Sequence, residues 1–273
     1  MNRPIAVFDS GVGGLSVLRH LHVQLPFENI IYLADQAHVP YGGRSCAEIF
    51  EFSQAIVDAF LEQRAKLIVI ACNTASTAAI KRLRTHFPTV LFVGTEPAVK
   101  PAAALTKSGK VGVLATAGTL ASNRYGALMN HFAQDVQVWE APCVGLVDLI
   151  ESGQIDSSTK SILQSALEPM LAAGVDTIVL GCTHYPFVVP LIREIAGDDV
   201  SIIDPAPAIV KQSIRLLKKH QLAASDNQHG SLRLITSSGA DRFQLQSMQL
   251  IGFDGEVETA VWRNGRLVLP DPA

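Results

Sequence analysis

Two cysteines sit in matching surroundings 110 positions apart (182 − 72). Cys72 follows Leu67-Ile68-Val69-Ile70-Ala71 and precedes Asn73-Thr74, while Cys182 follows Thr177-Ile178-Val179-Leu180-Gly181 and precedes Thr183-His184. An apolar run of four or five residues that stops at polar side chains reads as a buried, parallel-type strand. Helical patterns follow over 74–86 and 186–196, so each thiol is predicted just past the carboxyl end of a strand and before a helix. Open α/β sheets place their ligands there. Backbone N–H groups and the helix dipole at such a point favour a thiolate. A free thiol titrates at about 8.5, so a modest shift brings thiol and thiolate within reach of each other near neutrality. One such cysteine suits a nucleophile. Two, at equivalent points of a repeat, suit moving a proton from one face of a carbon to the other. The competing reading is two small buried hydrophobes.

The scaffold that must hold these thiols alternates strand and helix. Strands are predicted at 5–8, 30–34, 67–71 and 90–93, with the glycine-rich turn Asp9–Gly14 and a helix over 15–24 after the first. The stretch 36–44 contains Pro40-Tyr41-Gly42-Gly43 and reads as a loop. Ser45 and Glu48 form a capping box, after which Ile49, Phe52, Ile56 and Phe60 mark one helix face. A second alternation has strands at 111–114, 136–139, 178–181 and 200–203, and helices at 144–152 and 159–172. The first strand recurs after 106 residues (111 − 5), close to the cysteine spacing, and Thr116 and Thr119 stand in its turn. This predicts two similar α/β halves facing one another. Asp204-Pro205 reads as a helix start, with the helix running to His220. A loop over 222–230, a strand over 232–236, a helix over 241–250 and two short strands within 257–268 complete the chain.

Composition narrows the function classes. At 273 residues with 48% hydrophobic and 17% charged side chains, two ordinary cores can be filled. A net charge of −3 with no basic block argues against nucleic acid or an anionic membrane surface. No apolar run reaches membrane-span length. Four cysteines without a C-x-x-C pair point to a reducing compartment and away from disulfides or zinc. A strand beginning at about Ile5 leaves no room for a signal peptide. The expectation is a soluble cytoplasmic protein without a metal. Cys46 and Cys143 lie outside both repeat motifs and read as incidental.

Asp9-Ser10-Gly11-Val12-Gly13-Gly14-Leu15, Pro40-Tyr41-Gly42, Ala71-Cys72-Asn73-Thr74-Ala75 and Gly181-Cys182-Thr183-His184-Tyr185-Pro186 occur in that order. Together they resemble the glutamate racemases of the aspartate/glutamate racemase family, a likeness running from Ile5 to about Val210. The resemblance implies two doubly wound α/β domains related by a pseudo-two-fold axis, with the active site in the cleft between them. It places the boundaries at 1–95 plus 206–273 for the first and 96–205 for the second. It further implies cofactor-independent interconversion of L- and D-glutamate, supplying D-glutamate for peptidoglycan, and a possible homodimer. Cys72 corresponds to the thiol that deprotonates D-glutamate and Cys182 to the one that deprotonates L-glutamate. Asp9 and His184 correspond to their polar partners. Asp9, Ser10, Tyr41, Gly42, Asn73, Thr74, Thr183 and His184 correspond to substrate contacts, and Thr116 or Thr119 is expected to meet a substrate carboxylate. An N-cap for the first helix is the competing reading of Asp9. Glu151 lies near the cleft in the family's pattern, where it would favour the substrate ammonium, but the reading preferred here is a solvated helix acid. Members with an extra N-terminal segment need a peptidoglycan precursor as activator, and basal activity without one is expected here.

Other classes fit less well. Gly11-Val12-Gly13-Gly14 follows a strand, but Ser16 stands where a dinucleotide fingerprint needs its third glycine. A non-catalytic amino-acid-binding protein has no use for paired thiols. A two-thiol racemase acting on aspartate is nearer, and Thr183-His184-Tyr185-Pro186 favours the glutamate branch.

Overall fold

The computed structural model describes residues 3–225 and 228–271; positions 226 and 227, within the expected loop over 222–230, lie outside the described residues, as do the two terminal pairs. The chain divides into two compact units, Met1–Thr95 with Ala206–Ala273, and Glu96–Pro205. In the first, β1 (Ile5–Asp9), α1 (Leu15–Gln24), β2 (Ile30–Ala34), α2 (Cys46–Glu62), β3 (Leu67–Ile70), α3 (Asn73–His86) and β4 (Phe92–Gly94) alternate. The second holds α4 (Val99–Leu105), β5 (Lys110–Ala115), α5 (Ala117–Leu120), α6 (Asn123–Phe132), β6 (Gln137–Pro142), α7 (Leu146–Glu151), α8 (Ser157–Ala172), β7 (Thr177–Gly181), α9 (Val189–Ala196) and β8 (Ser201–Ile203). The chain then returns to the first unit with α10 (Ala206–Lys219), β9 (Leu232–Thr236), α11 (Ala240–Ile251), β10 (Val257–Thr259), β11 (Val261–Arg263) and β12 (Arg266–Val268).

Each unit is built around one all-parallel sheet, ordered β10-β9-β2-β1-β3-β4 in the first and β6-β5-β7-β8 in the second. The repeat therefore extends to strand order, β2-β1-β3-β4 against β6-β5-β7-β8. It extends to register as well. Ile5 pairs with Leu67, and at the corresponding positions Val111 pairs with Thr177. Strands buried on both faces explain the uninterrupted apolar runs. Ala6, Phe8, Ile31, Leu33, Ile68 and Ile70 pack with Ile56 and Phe60 of α2 and Ile80 and Leu83 of α3. The alternate face of β2 carries Tyr32, stacked on Phe243 of α11 at 6.2 Å. Among the described residues no helix is long and apolar enough to cross a membrane.

Of the local expectations, one holds and others change. The capping box forms, with Glu48 N donating to Ser45 Oγ and Ser45 N to Glu48 Oε2. The helix expected from 186 starts as a 3-10 turn, Tyr185–Val188, and becomes α-helical only at Val189, because Pro186 and Pro190 withhold N–H groups at each start. The loop over 36–44 contains a similar turn, Tyr41–Gly43. The tail over 257–268 forms three strands instead of two. β10 pairs parallel with β9, whereas β11 and β12 form an antiparallel hairpin whose turn residues Asn264 and Gly265 both have positive φ (49° and 75°).

Lys66, just before β3, is ion-paired with Glu28, and both side chains are buried. Glu28 Oε1 also accepts from Ala224 N at 2.8 Å, which ties the chain after α10 to the segment leading into β2. Lys66→Met leaves the carboxylate buried without its counter-charge. A loss of about 3–5 kcal/mol in urea unfolding is expected; a loss within experimental error would contradict the pairing.

Candidate functional site

In the first unit the sequence-predicted residues lie at or past the carboxyl ends of β1, β2 and β3. Because Phe8 pairs with Ile70, the turns after β1 and β3 lie side by side, and Cys72 Sγ stands 3.9 Å from Ser10 Oγ. Cys72 is the N-cap of α3, its sulfur accepting from Ala75 N at 3.4 Å, and it is 5% exposed. A sulfur in that position receives the helix N-terminal field, which favours its anionic form. The strand end beneath it is pinned by buried hydroxyls. Thr95 Oγ1 donates to the carbonyls of Ile70 and Ala71, and Ser76 Oγ to Ile70 O.

Asp9 is fully buried, and its Oδ1 accepts from Gly11 N at 2.9 Å. It does not cap α1, whose N-cap is Gly14 with no side-chain cap bond. Gly14 is required by proximity, since a Cβ there would fall 2.6 Å from Asp9 Cβ. Tyr41 is also fully buried, and its hydroxyl donates to Asp35 Oδ2 at 2.7 Å, so its side chain is committed to Asp35. Thr74 is buried on the first turn of α3. Asn73 is the most informative member. It is 2% exposed, yet neither Oδ1 nor Nδ2 finds a hydrogen-bond partner among the described residues. A buried amide left unpaired costs about 1–3 kcal/mol, so its retention points to a ligand that completes it.

In the second unit the equivalent turns follow β5 and β7. Ala115 pairs with Gly181, and a Cβ on Gly181 would meet Ala115 Cβ at 2.8 Å, so glycine is what lets the strand end approach. Thr116 caps α5, accepting from Thr119 N at 3.2 Å and donating to Thr119 Oγ1 at 2.9 Å. Cys182 and Thr183 are buried. Here the thiol is served differently from Cys72. His184 Nδ1 lies 3.6 Å from the Cys182 sulfur, and its Nε2 lies 2.5 Å from Glu151 Oε1. Burial alone would push the His184 ring down. Its bonds to Cys182 and Glu151, with the negative charge on both, outweigh that and raise it well above the ordinary value. Protonated at both nitrogens, the ring donates to sulfur and carboxylate together and supplies a counter-charge for a thiolate.

One reading from the sequence is corrected here. Glu151 is not a solvated helix acid: it is 6% exposed and bonded to His184. Cys143 follows β6 directly and is 7% exposed, and burial together with the charge of Cys182 pushes its thiol up to about 11. Tyr185 lies beside both cysteines; burial and their charges push its phenol well above the ordinary value, and its hydroxyl donates to Ala115 O at 3.3 Å. Sequence reasoning missed Thr95, Ser76, Asp35 and Tyr185. Only Tyr185 carried a signal, its place inside the second cysteine motif. Among the described residues no group of three or more His, Cys, Asp or Glu side chains could hold a metal ion.

Comparison with known proteins gives the family. The Asp/Glu/Hydantoin racemase family matches residues 9–213. A glutamate racemase from Ectopseudomonas mendocina is 48% identical over 255 residues, covering 93% of this chain and 97% of that protein. Among solved structures, a glutamate racemase isoform from Bacillus anthracis superposes with a TM-score of 0.86 at 30% identity, covering 96% of this chain and 98% of the other. The Escherichia coli glutamate racemase, solved with L-glutamate and the activator UDP-MurNAc-ala, superposes with a TM-score of 0.82 at 34% identity, covering 95% and 98%.

Proposed function

The chain belongs to the Asp/Glu/Hydantoin racemase family, and we propose that it interconverts L- and D-glutamate by proton transfer between two cysteines and Cα. The observation that carries this reading is the repeat itself. Matching strands in matching register deliver one buried thiol each, and each thiol has its own means of holding negative charge. Two inert core cysteines have no need of a helix N-terminus or a buried histidine. The naming of relatives at about half identity, one of the superposing structures having been solved with L-glutamate, supports glutamate as the substrate.

In the L-to-D direction the Cys182 thiolate takes the Cα proton, and the C–H electron pair delocalises onto the α-carboxylate. Cys72, as the thiol, then delivers a proton to the opposite face. The cysteines finish with their protonation states exchanged, and the D-to-L direction runs the same steps backwards. Charge that develops on the carboxylate needs donors already in place. Ser10, Asn73, Thr74, Thr116, Thr119 and Thr183 supply amide and hydroxyl groups for that purpose. The product D-glutamate is directed to peptidoglycan synthesis in the cytoplasm.

Wild-type protein in D2O, followed by NMR with each glutamate enantiomer and no added cofactor, tests this. Solvent deuterium appearing at Cα in both enantiomers, with racemisation, is the expected result. Exchange with aspartate but not glutamate would transfer the chemistry to the other amino acid, and binding without exchange would leave a binding protein.

Asn73→Ala separates the site from the fold. The change removes an unpaired buried amide, so the thermal midpoint is expected to hold or rise, while KM for glutamate rises about tenfold through one lost hydrogen bond to a charged group. A lowered midpoint with unchanged KM would show that the amide serves the fold.

A further inference from the structure

Asp35 immediately follows β2 and is fully buried. Its Oδ1 accepts from Ser237 Oγ at 2.7 Å and Trp262 Nε1 at 2.8 Å. Its Oδ2 accepts from Tyr41 hydroxyl at 2.7 Å and lies 2.9 Å from His38 Nδ1. These four partners match the roughly four lone-pair sites that an ionised carboxylate offers. They come from three separate stretches: the segment containing His38 and the Tyr41–Gly43 turn, the residue after β9, and the hairpin strand β11. Asp35 N donates to Asp9 O at 3.0 Å, so the hub is fastened to the end of β1, one residue before Ser10. His38 stacks on Phe52 of α2 at 3.9 Å and meets the edge of Trp262 at 4.8 Å, which fixes the indole in the plane its N–H needs.

We propose that Trp262 is a positioning residue for the reaction, holding the Tyr41–Gly43 turn in its working place through the shared carboxylate of Asp35. The carboxylate is a rigid planar group, so Oδ1 cannot follow Trp262 without carrying Oδ2 with it, and the position of the hairpin is imposed on the Tyr41 hydroxyl. Tyr41 transmits this to its own backbone, because its ring is wholly enclosed. The phenol remains a donor throughout: burial, then Asp35, then the charges of Cys72 and Asp9 push it well above its ordinary value. The C-terminal hairpin thus serves the end of the sheet that bears Cys72.

The kinetic part of this inference rests on the racemase reading, and its spectroscopic part does not. Trp262→Phe keeps a ring against His38 and Phe52 and removes the N–H. With all four tyrosines labelled at the carbon bearing the hydroxyl, the Tyr41 signal is assigned by its loss in Tyr41→Phe. Trp262→Phe is expected to move that signal and leave those of Tyr32, Tyr125 and Tyr185. In the same variant KM for both enantiomers rises about three- to tenfold, with kcat changed less than about twofold. Adding Tyr41→Phe to Trp262→Phe makes KM no worse than the poorer single variant, because both act through one carboxylate. An unmoved Tyr41 signal, an unchanged KM, or effects that multiply would each overturn the proposal. If Trp262→Phe fails to fold, Ser237→Ala strips the same carboxylate oxygen and carries the same readouts. Absence of racemisation in wild type would count against the proposed function, and the Tyr41 signal would still decide whether Trp262 sets the turn.

Discussion

Replacing either Cys72 or Cys182 by serine is expected to lower kcat for racemisation roughly 10²- to 10⁴-fold in both directions, the usual worth of a positioned acid or base. Both directions fall because, in the proposed mechanism, each turnover needs one sulfur to take a proton and the other to give one. The enantiomers have equal free energy in water, so the equilibrium constant is unity and kcat/KM must stay equal in the two directions for any variant. A steady-state ratio therefore cannot reveal which cysteine serves which face. Isotope exchange can. With Cys182 replaced, the Cys72 thiolate still lifts and returns the Cα proton of D-glutamate, and deuterium is expected to enter the D enantiomer alone. With Cys72 replaced, it is expected to enter the L enantiomer alone. Serine is the informative substitution at 72, since a serine oxygen is a better helix cap than the sulfur that now accepts from Ala75 N. The helix start is retained while the acid is lost, so inactivity cannot be blamed on unfolding. Equal exchange into both enantiomers in either single variant would defeat the two-thiol assignment.

The strands and the positions of the two thiols were legible in the sequence for a physical reason. Strands buried on both faces are written as unbroken aliphatic runs, and a repeated unit writes them twice. Cys72 and Cys182 stand out because the register of β1 with β3 recurs in β5 with β7. What could not be read were partnerships across long stretches of chain. Glu151 sits 33 residues before His184, on a six-residue helix too short for its periodicity to announce a buried face. Asp35 draws donors from 202 and 227 positions away. Nothing local distinguishes it from an acid in a surface turn. The placement of Cys143 was recoverable in principle. Asp35 follows β2 and Cys143 follows β6, so the two occupy one place in the repeat, each beside a buried tyrosine. Aligning the halves past the cysteine motifs would have marked it.

His184→Asn is expected to slow the steps made by Cys182 and leave those made by Cys72. Its imidazolium is the counter-charge at that sulfur, 3.6 Å away, and kcat should fall about 10²-fold. Substrates deuterated at Cα show where the loss lies. From L-glutamate, Cys182 breaks the labelled bond, so the primary isotope effect grows as that step becomes limiting. From D-glutamate, Cys72 breaks the labelled bond and the slow step becomes delivery of a solvent-derived proton, so the effect shrinks. Glu151→Gln acts on the same ring by removing one of the two negative partners that raise it. The alkaline limb of kcat/KM is then expected to move to lower pH, equally in both directions, because the ring loses its proton sooner. Stability follows the same sign. A folded-state value raised above the unfolded one of about 6.5 gives stabilisation that is complete below that pH and is lost as pH rises through the raised value. The stability gap between wild type and Glu151→Gln should accordingly be widest near pH ~6 and close on the alkaline side. Isotope effects unchanged by His184→Asn would sever the histidine from the proton transfer. An unmoved alkaline limb in Glu151→Gln would show that the carboxylate holds the ring in place without setting its charge.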